Sequence, residues 1–183
     1  MTLFLDQMSE RGLVIVYTGD GKGKSTAAFG MALRAAGYGW RIAILQFIKG
    51  NFRTGEEKAF QRFSDLVEFR KLGIGFVTWH PKRPYTEHKE AAVKAFEQAQ
   101  EYIVSDRYHM IILDEINNAT RFGLIPVSDV ISLIREKPKR LNLILTGRGA
   151  DPKVCDVADL VTDMRPLKHP FDKGEWAHAG IDY

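Results

Sequence analysis

The chain has 183 residues, of which 45% are hydrophobic, enough for one buried core but not for two independent domains. Its 26 basic and 23 acidic residues leave a net charge of +3, too small to indicate nucleic acid as a partner. A single cysteine, Cys155, excludes an intramolecular disulfide and fits a reducing cytoplasm. No stretch approaches the roughly 20 apolar residues of a membrane helix, and the start does not resemble a signal peptide. We expect one cytoplasmic domain without a nucleic-acid or membrane partner.

The first predicted elements are a strand and a helix joined by a glycine-rich turn. Residues 13–17 (LVIVY) form a short, β-branched apolar run that is typical of a strand buried on both faces. Residues 24–36 (KSTAAFGMALRAA) have the apolar spacing of a helix, which ends at Gly37 as its C-cap.

The rest of the chain continues this alternation. Further strands are predicted at 41–47, 67–72, 109–113, 141–146 and 160–164, and further helices at 56–63, 86–105, 127–137 (capped by Ser128) and 151–158. Such alternation implies a mostly parallel sheet with right-handed crossovers and helices on both faces. We therefore predict an α/β fold of the P-loop NTPase-like (RecA-like) class over 1–183. Residues 165–183 lack periodicity and are predicted to be an irregular tail, laid over the domain or over a partner.

The turn at 18–26 (TGDGKGKST) predicts a phosphate-binding loop. In such a loop, backbone N–H groups freed by glycines converge on phosphate oxygens at a helix N-terminus, a lysine neutralises charge, and a hydroxyl binds magnesium. The alternative is a glycine-rich hairpin that merely contains lysines, which the flanking strand and helix disfavour. The sequence thus predicts a site for ATP and Mg²⁺, with these ATP-binding residues: Gly19, Asp20, Gly21, Lys22, Gly23, Lys24, Ser25 and Thr26.

The loop departs from the usual pattern GxxxxGK[ST] at its first position. Thr18 stands where a glycine is usual, and the leading glycine has moved to Gly19. We expect this shift to change how the triphosphate lies in the loop.

Charged residues follow two later strands of the predicted sheet. Asp114 and Glu115 directly follow the run HMIIL and so lie at the carboxyl edge of the sheet, where open parallel sheets bind ligands. They resemble a pair that holds Mg²⁺ together with Ser25. Arg148, in TGRG after another strand, is placed to contact phosphate by bidentate hydrogen bonds. The alternatives are a solvated acidic turn for the carboxylates and an ordinary surface arginine for Arg148.

Residues 73–80 (GIGFVTWH) place Phe76 and Trp79 in a glycine-bearing loop. The rings would either cover a large flat ligand or close the edge of the domain, and the residues alone favour neither.

Ordered motifs run along nearly the whole chain: VYTGDGKGKSTAAFG at 16–30, QFIKG at 46–50, TGEE at 54–57, GFVTW at 75–79, LDE at 113–115, LTGRGA at 145–150, RPLKHPFDKG at 165–174 and GIDY at 180–183. Together these motifs resemble the ATP:corrinoid adenosyltransferases that carry a phosphate loop. The resemblance implies that a cobalt(I) corrinoid attacks the ribose C5′ of ATP and expels the whole triphosphate. The competing hypotheses are an ordinary P-loop ATPase or small-molecule kinase and a non-catalytic nucleotide-binding module.

The resemblance also implies roles for particular residues and partners. Lys24 and Glu115 are the catalytic residues it implies, Lys24 stabilising the departing charge and Glu115 serving as a metal ligand. It implies a nucleotide with its phosphates reversed along the loop. Trp79, with Phe76 or Val77, would contact the corrinoid and strip the lower ligand from cobalt. A homodimer and a flavodoxin-like reductant are implied by the resemblance alone.

Overall fold

A computed structural model describes residues 11–50, 54–77 and 83–182. The strands are β1 (Val14–Thr18), β2 (Ile42–Gln46), β3 (Val67–Lys71), β4 (Met110–Asp114), β5 (Asn142–Thr146) and β6 (Leu160–Asp163). The helices are α1 (Lys24–Ala36), α2 (Gly55–Phe60), α3 (Tyr85–Val104), α4 (Ile116–Arg121), α5 (Val127–Glu136) and α6 (Pro152–Asp156), with short 3₁₀ turns at Gln61–Phe63 and Pro170–Lys173.

The six strands form one sheet in the order β3-β2-β4-β5-β1-β6, and every pairing is parallel. The carboxyl ends of β1, β2, β4 and β5 therefore meet at one edge of the sheet. The central strands read as continuous apolar runs because both of their faces are covered, and β4 is buried along its whole length.

Helices cover both faces of the sheet, as the sequence predicts. One face packs against α1, where Ala28, Phe29 and Ala32 meet apolar side chains of β1, β2, β4 and β5. On the other face, α3 contributes Ala95 and Ala99 to a larger cluster that α4 and α5 complete. The predicted α/β, P-loop NTPase-like class is confirmed.

The predicted elements recur in the structure with ends shifted by a few residues, but one local expectation was wrong. Pro126, not Ser128, is the N-cap of α5, and the Ser128 hydroxyl lies against the Asp129 carboxylate instead. Proline fits that position because its fixed φ suits a helix start and it lacks an N–H group. The sequence also missed α4, a helix of six residues with two asparagines, which have low helix propensity.

The tail lies against the domain through its last described residues. The carboxylate of Asp182 pairs with the ammonium group of Lys22 in the phosphate loop and accepts a hydrogen bond from the His178 amide at 2.8 Å. Residues 165–182 are otherwise exposed, apart from the half-buried His169, so the predicted position of the tail over the domain or over a partner stays a prediction. Among the described residues, no helix has the length and apolar character needed to cross a membrane.

Candidate active site

The phosphate loop joins β1 to α1 in the strand, loop, helix order that such a loop requires. Gly23 caps α1 in the left-handed region, with φ of +107°, and no side chain in the described part of the chain caps the helix. The first amides of α1 therefore have no side-chain acceptor and point toward the loop, as in anion sites at helix N-termini.

The structure explains why the first glycine of the loop is Gly19 and not residue 18, where the usual pattern has it. β1 continues through Thr18, which pairs with Asp163 of β6, and the Thr18 hydroxyl accepts a hydrogen bond from the Ala150 amide at 3.0 Å. The turn begins only at Gly19, whose φ is +94°, and a Cβ there would lie 2.3 Å from an Asp163 carboxylate oxygen. Thr18 is thus a strand residue, and Gly19 is the first position that requires glycine.

Lys24, the predicted phosphate-binding lysine, is buried within the phosphate loop. Its ammonium group donates to the backbone oxygen of Gly21 at 2.5 Å. Burial lowers the pKa of Lys24, and the positive charge of Arg148 lowers it further, whereas Glu115 opposes the shift. A triphosphate at this position would replace the carbonyl contact with charged oxygens, which bind an ammonium group more strongly.

Asp114 is the central acceptor of the site. Its carboxylate is fully buried and accepts hydrogen bonds from the Ser25 hydroxyl at 2.7 Å, the Thr146 hydroxyl at 2.6 Å and the Gln46 amide at 2.8 Å. The Lys49 ammonium lies 3.7 Å from the same carboxylate. Sequence reasoning named Asp114 and Ser25 but assigned no role to Gln46, Lys49 or Thr146.

Glu115 lies beside Asp114 in a strained conformation for a residue with a side chain, with φ of +68°. Its backbone amide donates to the Thr146 hydroxyl at 3.0 Å, which fixes the turn after β4. Burial and the neighbouring charge of Asp114 raise the pKa of Glu115 to about 7, although Lys49 and Lys24 act in the opposite direction. Its Oε2 atom is buried and has no hydrogen-bond partner among the described residues, so this carboxylate retains an unused acceptor.

The donor set fits Mg²⁺. Ser25, Asp114 and Glu115 supply only oxygen atoms, which magnesium prefers, and the unused Oε2 of Glu115 provides one further acceptor. Within the described ranges no group of three or more His, Cys, Asp or Glu side chains could hold a metal ion by itself. Mg²⁺ usually takes one or two protein ligands and completes its shell with phosphate and water.

Arg148 stands at the edge of the site on the loop after β5. Its backbone amide donates to the Asn118 side chain at 2.6 Å, so α4 holds the loop in place. Its guanidinium group is exposed and lies 3.9 Å from the carboxylate of Asp20, which belongs to the phosphate loop. The predicted phosphate contact of Arg148 stays a prediction, and the structure places the side chain within reach of that loop.

The structure distinguishes Phe76 from Val77, the two alternative candidates for a corrinoid contact in the loop at 73–80. Phe76 is 62% exposed, whereas Val77 packs against the larger core cluster. The exposed ring is therefore the better placed of the two to meet a ligand. Trp79, the other predicted corrinoid contact, lies outside the described residues.

The chain resembles a known protein family over nearly its whole length. The model of the family described as ATP:corrinoid adenosyltransferase BtuR/CobO/CobP matches residues 10–183. The chain belongs to this family.

Several corrinoid adenosyltransferases resemble it over most of their length. The protein of that name from Sinorhizobium sp is 44% identical over 176 residues, covering 95% of this chain and 81% of the relative. Corrinoid adenosyltransferase CobA from Salmonella typhimurium is 39% identical over 178 residues, covering 95% and 87%. The corrinoid adenosyltransferase of Escherichia coli K12 is 37% identical over 174 residues with the same coverage.

The fold of this adenosyltransferase family member is also similar to that of a distantly related solved structure. The flagellar accessory protein FlaH from Methanocaldococcus jannaschii matches with a TM-score of 0.54 and 13% identity, covering 82% of this chain and 70% of FlaH. A likeness at this identity concerns the fold alone.

Replacing Glu115 by glutamine tests the electrostatics of the site. Because the folded-state pKa is raised above the usual value near 4.3, ionising Glu115 costs stability, and this cost grows as the pH rises from about 4 to 7. The ligand-free Glu115→Gln variant is expected to be about 2–3 kcal/mol more stable than wild type at pH 8 and nearly equal at pH 4. Urea denaturation at both pH values measures this difference.

The matched control is Glu136→Gln, which removes the same charge from an exposed position at the end of α5. It should change stability little at either pH. A Glu115→Gln variant that is no more stable than wild type at pH 8 contradicts the assigned cost of the buried charge.

Proposed function

We propose that this protein transfers the 5′-deoxyadenosyl group of ATP to a cobalt(I) corrinoid, as in adenosylcobalamin synthesis or salvage, and releases the triphosphate. The supporting observation is the convergence of uncapped α1 amides, Lys24 and the Ser25–Asp114 pair at one sheet edge. The amides and Lys24 can donate to a bound anion, and the Ser25–Asp114 pair is proposed to hold the metal ion that accompanies it. The chain's membership of the corrinoid adenosyltransferase family supplies the reaction.

The electron balance of the reaction requires no activated water. The cobalt(I) electron pair forms the bond to C5′, while the bond from C5′ to its ester oxygen breaks and its electrons leave with the triphosphate. The protein therefore has to align the two reactants and stabilise the charge that grows on the leaving group. The uncapped amides at the start of α1 and the Lys24 ammonium are the groups proposed for the second task.

Ser25, Asp114 and Glu115 are the residues that would hold Mg²⁺. When bound, the metal would draw charge from the phosphate oxygens. The Ser25 hydroxyl donates its hydrogen to Asp114, so its oxygen lone pairs remain available to a metal ion. Glu115 keeps one carboxylate oxygen without a partner, which suits it for a second contact with the metal.

The corrinoid partner is proposed to meet the exposed ring of Phe76, together with Trp79. We further propose a cytoplasmic homodimer that receives electrons from a flavodoxin-like reductant, as the family resemblance implies. Exposed apolar side chains on the edge strand β6 and in the tail support a self-association surface: Leu160, Val161, Leu167 and Trp176.

Product analysis tests the proposed reaction. Protein, ATP, Mg²⁺ and chemically reduced cobalamin should yield adenosylcobalamin, followed by its absorbance, and one equivalent of triphosphate, measured by ion chromatography. Lys24→Ala should lower kcat about 100- to 1000-fold, since it removes a cation from the leaving group. ADP and phosphate as the main products would instead identify an ordinary ATPase or kinase, and wild-type turnover by Lys24→Ala would contradict the role of this lysine.

A comparison of Phe76→Ala with Val77→Ala tests which side chain meets the corrinoid. Phe76→Ala should slow the reaction about 3- to 10-fold when it starts from cobalt(II) and a protein reductant, because a stacking surface is lost. The effect should be smaller with pre-reduced cobalt(I). Val77→Ala should lower the stability by about 1 kcal/mol because it opens the core, with little effect on either rate. The reverse pattern would assign the contact to Val77.

A further inference from the structure

The segment after β2 brings two polar side chains to the site. Gln46, the last residue of β2, donates its amide to Oδ2 of Asp114 at 2.8 Å, and Lys49 approaches the same oxygen at 3.7 Å. Ser25 binds the other oxygen, Oδ1, at 2.7 Å. Lys49 and the metal-binding hydroxyl of the phosphate loop are therefore joined through one carboxylate.

The Lys49 ammonium group lies near Asp114 but does not form a hydrogen bond with it. Three hydrogen bonds from Ser25, Thr146 and Gln46 already satisfy this carboxylate, and 3.7 Å exceeds the length of a normal hydrogen bond. Within the described ranges, the Lys49 ammonium donates no hydrogen bond. An ammonium group has three donors, and the Lys49 side chain is 24% exposed, so it can turn to a ligand without leaving the site.

The negative charges of the site would be offset by a second cation near the triphosphate. Asp114 and Glu115 bring two carboxylates close to the proposed position of a highly charged triphosphate. Of the two loop lysines, Lys24 has its ammonium group inside the loop, whereas the ammonium group of Lys22 pairs with Asp182. Lys49 lies 3.7 Å from the buried Asp114 carboxylate, to which the Ser25 hydroxyl of the phosphate loop also donates, and its side chain is only 24% exposed. Lys49 therefore lies within the site and not at its rim.

We propose that Lys49 is a second triphosphate-binding lysine: paired with Asp114 in the ligand-free protein, it turns to the triphosphate of bound ATP and stabilises the leaving group together with Lys24. Gln46 is the positioning residue that keeps the Asp114 carboxylate in place when Lys49 moves. This inference rests on the proposed function for its substrate, but the contact itself is between Lys49 and phosphate oxygens. Inorganic triphosphate can thus test it without the corrinoid reaction.

The test is calorimetric titration of inorganic triphosphate, with Mg²⁺ present, into wild type and variants. Lys49→Met should weaken binding about 10- to 100-fold, as expected for the loss of one charge-assisted contact. Lys49→Arg should restore most of the affinity. Lys139→Met removes the same charge from an exposed residue after α5, at the opposite edge of the sheet, and should bind like wild type. Lys49→Gln serves as a second neutral variant if Lys49→Met does not fold.

Three results would overturn the proposal. The first is wild-type affinity in Lys49→Met or Lys49→Gln, with or without a lower melting temperature, which would show that Lys49 only neutralises Asp114. The second is an equal loss in Lys139→Met, which would show a long-range charge effect. The third is an unchanged kcat for adenosylation in Lys49→Met. Failure of wild type to form adenosylcobalamin would contradict the proposed function, and the triphosphate titration would still decide the role of Lys49.

Discussion

The buried carboxylate of Asp114 is the contact on which the rest of the site depends. Its hydrogen-bond donors come from the ends of three other strands or the segments that follow them: Ser25 after β1, Gln46 at the end of β2 and Thr146 at the end of β5. An ionised carboxylate without such donors would cost several kcal/mol in this interior. The requirement to compensate one charge therefore fixes how the four central strands present their loops to a ligand.

Much of this arrangement could be predicted from the sequence, because its signals are local. The apolar runs gave the strands, and the loop at 18–26 gave Lys24 and Ser25 their place before a helix. The roles of Gln46, Lys49 and Thr146 could not be predicted in this way. Their partner Asp114 is distant in the chain, and only the strand order β2-β4-β5 brings them together. The helix α4 was missed because tertiary packing, and not its weak local propensity, stabilises it.

The displaced glycine of the loop has a structural cause that the sequence did not show. β6 runs beside β1 and pairs with Thr18, so β1 extends through Thr18 and the turn begins at Gly19. The backbone after β6 then meets the loop directly, with the Gly21 amide donating to the Met164 carbonyl at 2.7 Å. In this chain the edge strand β6 therefore shapes the phosphate loop. The fold is shared with FlaH at 13% identity, so the reaction follows from the site and not from the fold.

The loop is proposed to hold a triphosphate that leaves whole, without cleavage between its β and γ phosphates. The most direct measurement replaces ATP with its β,γ-imido analogue, which resists that cleavage, and follows adenosylcobalamin formation from pre-reduced cobalamin. Our account predicts that the analogue supports the reaction at a rate comparable to that of ATP and releases intact imidotriphosphate. A reaction that proceeds with ATP but stops with the analogue, although the analogue binds, would contradict it.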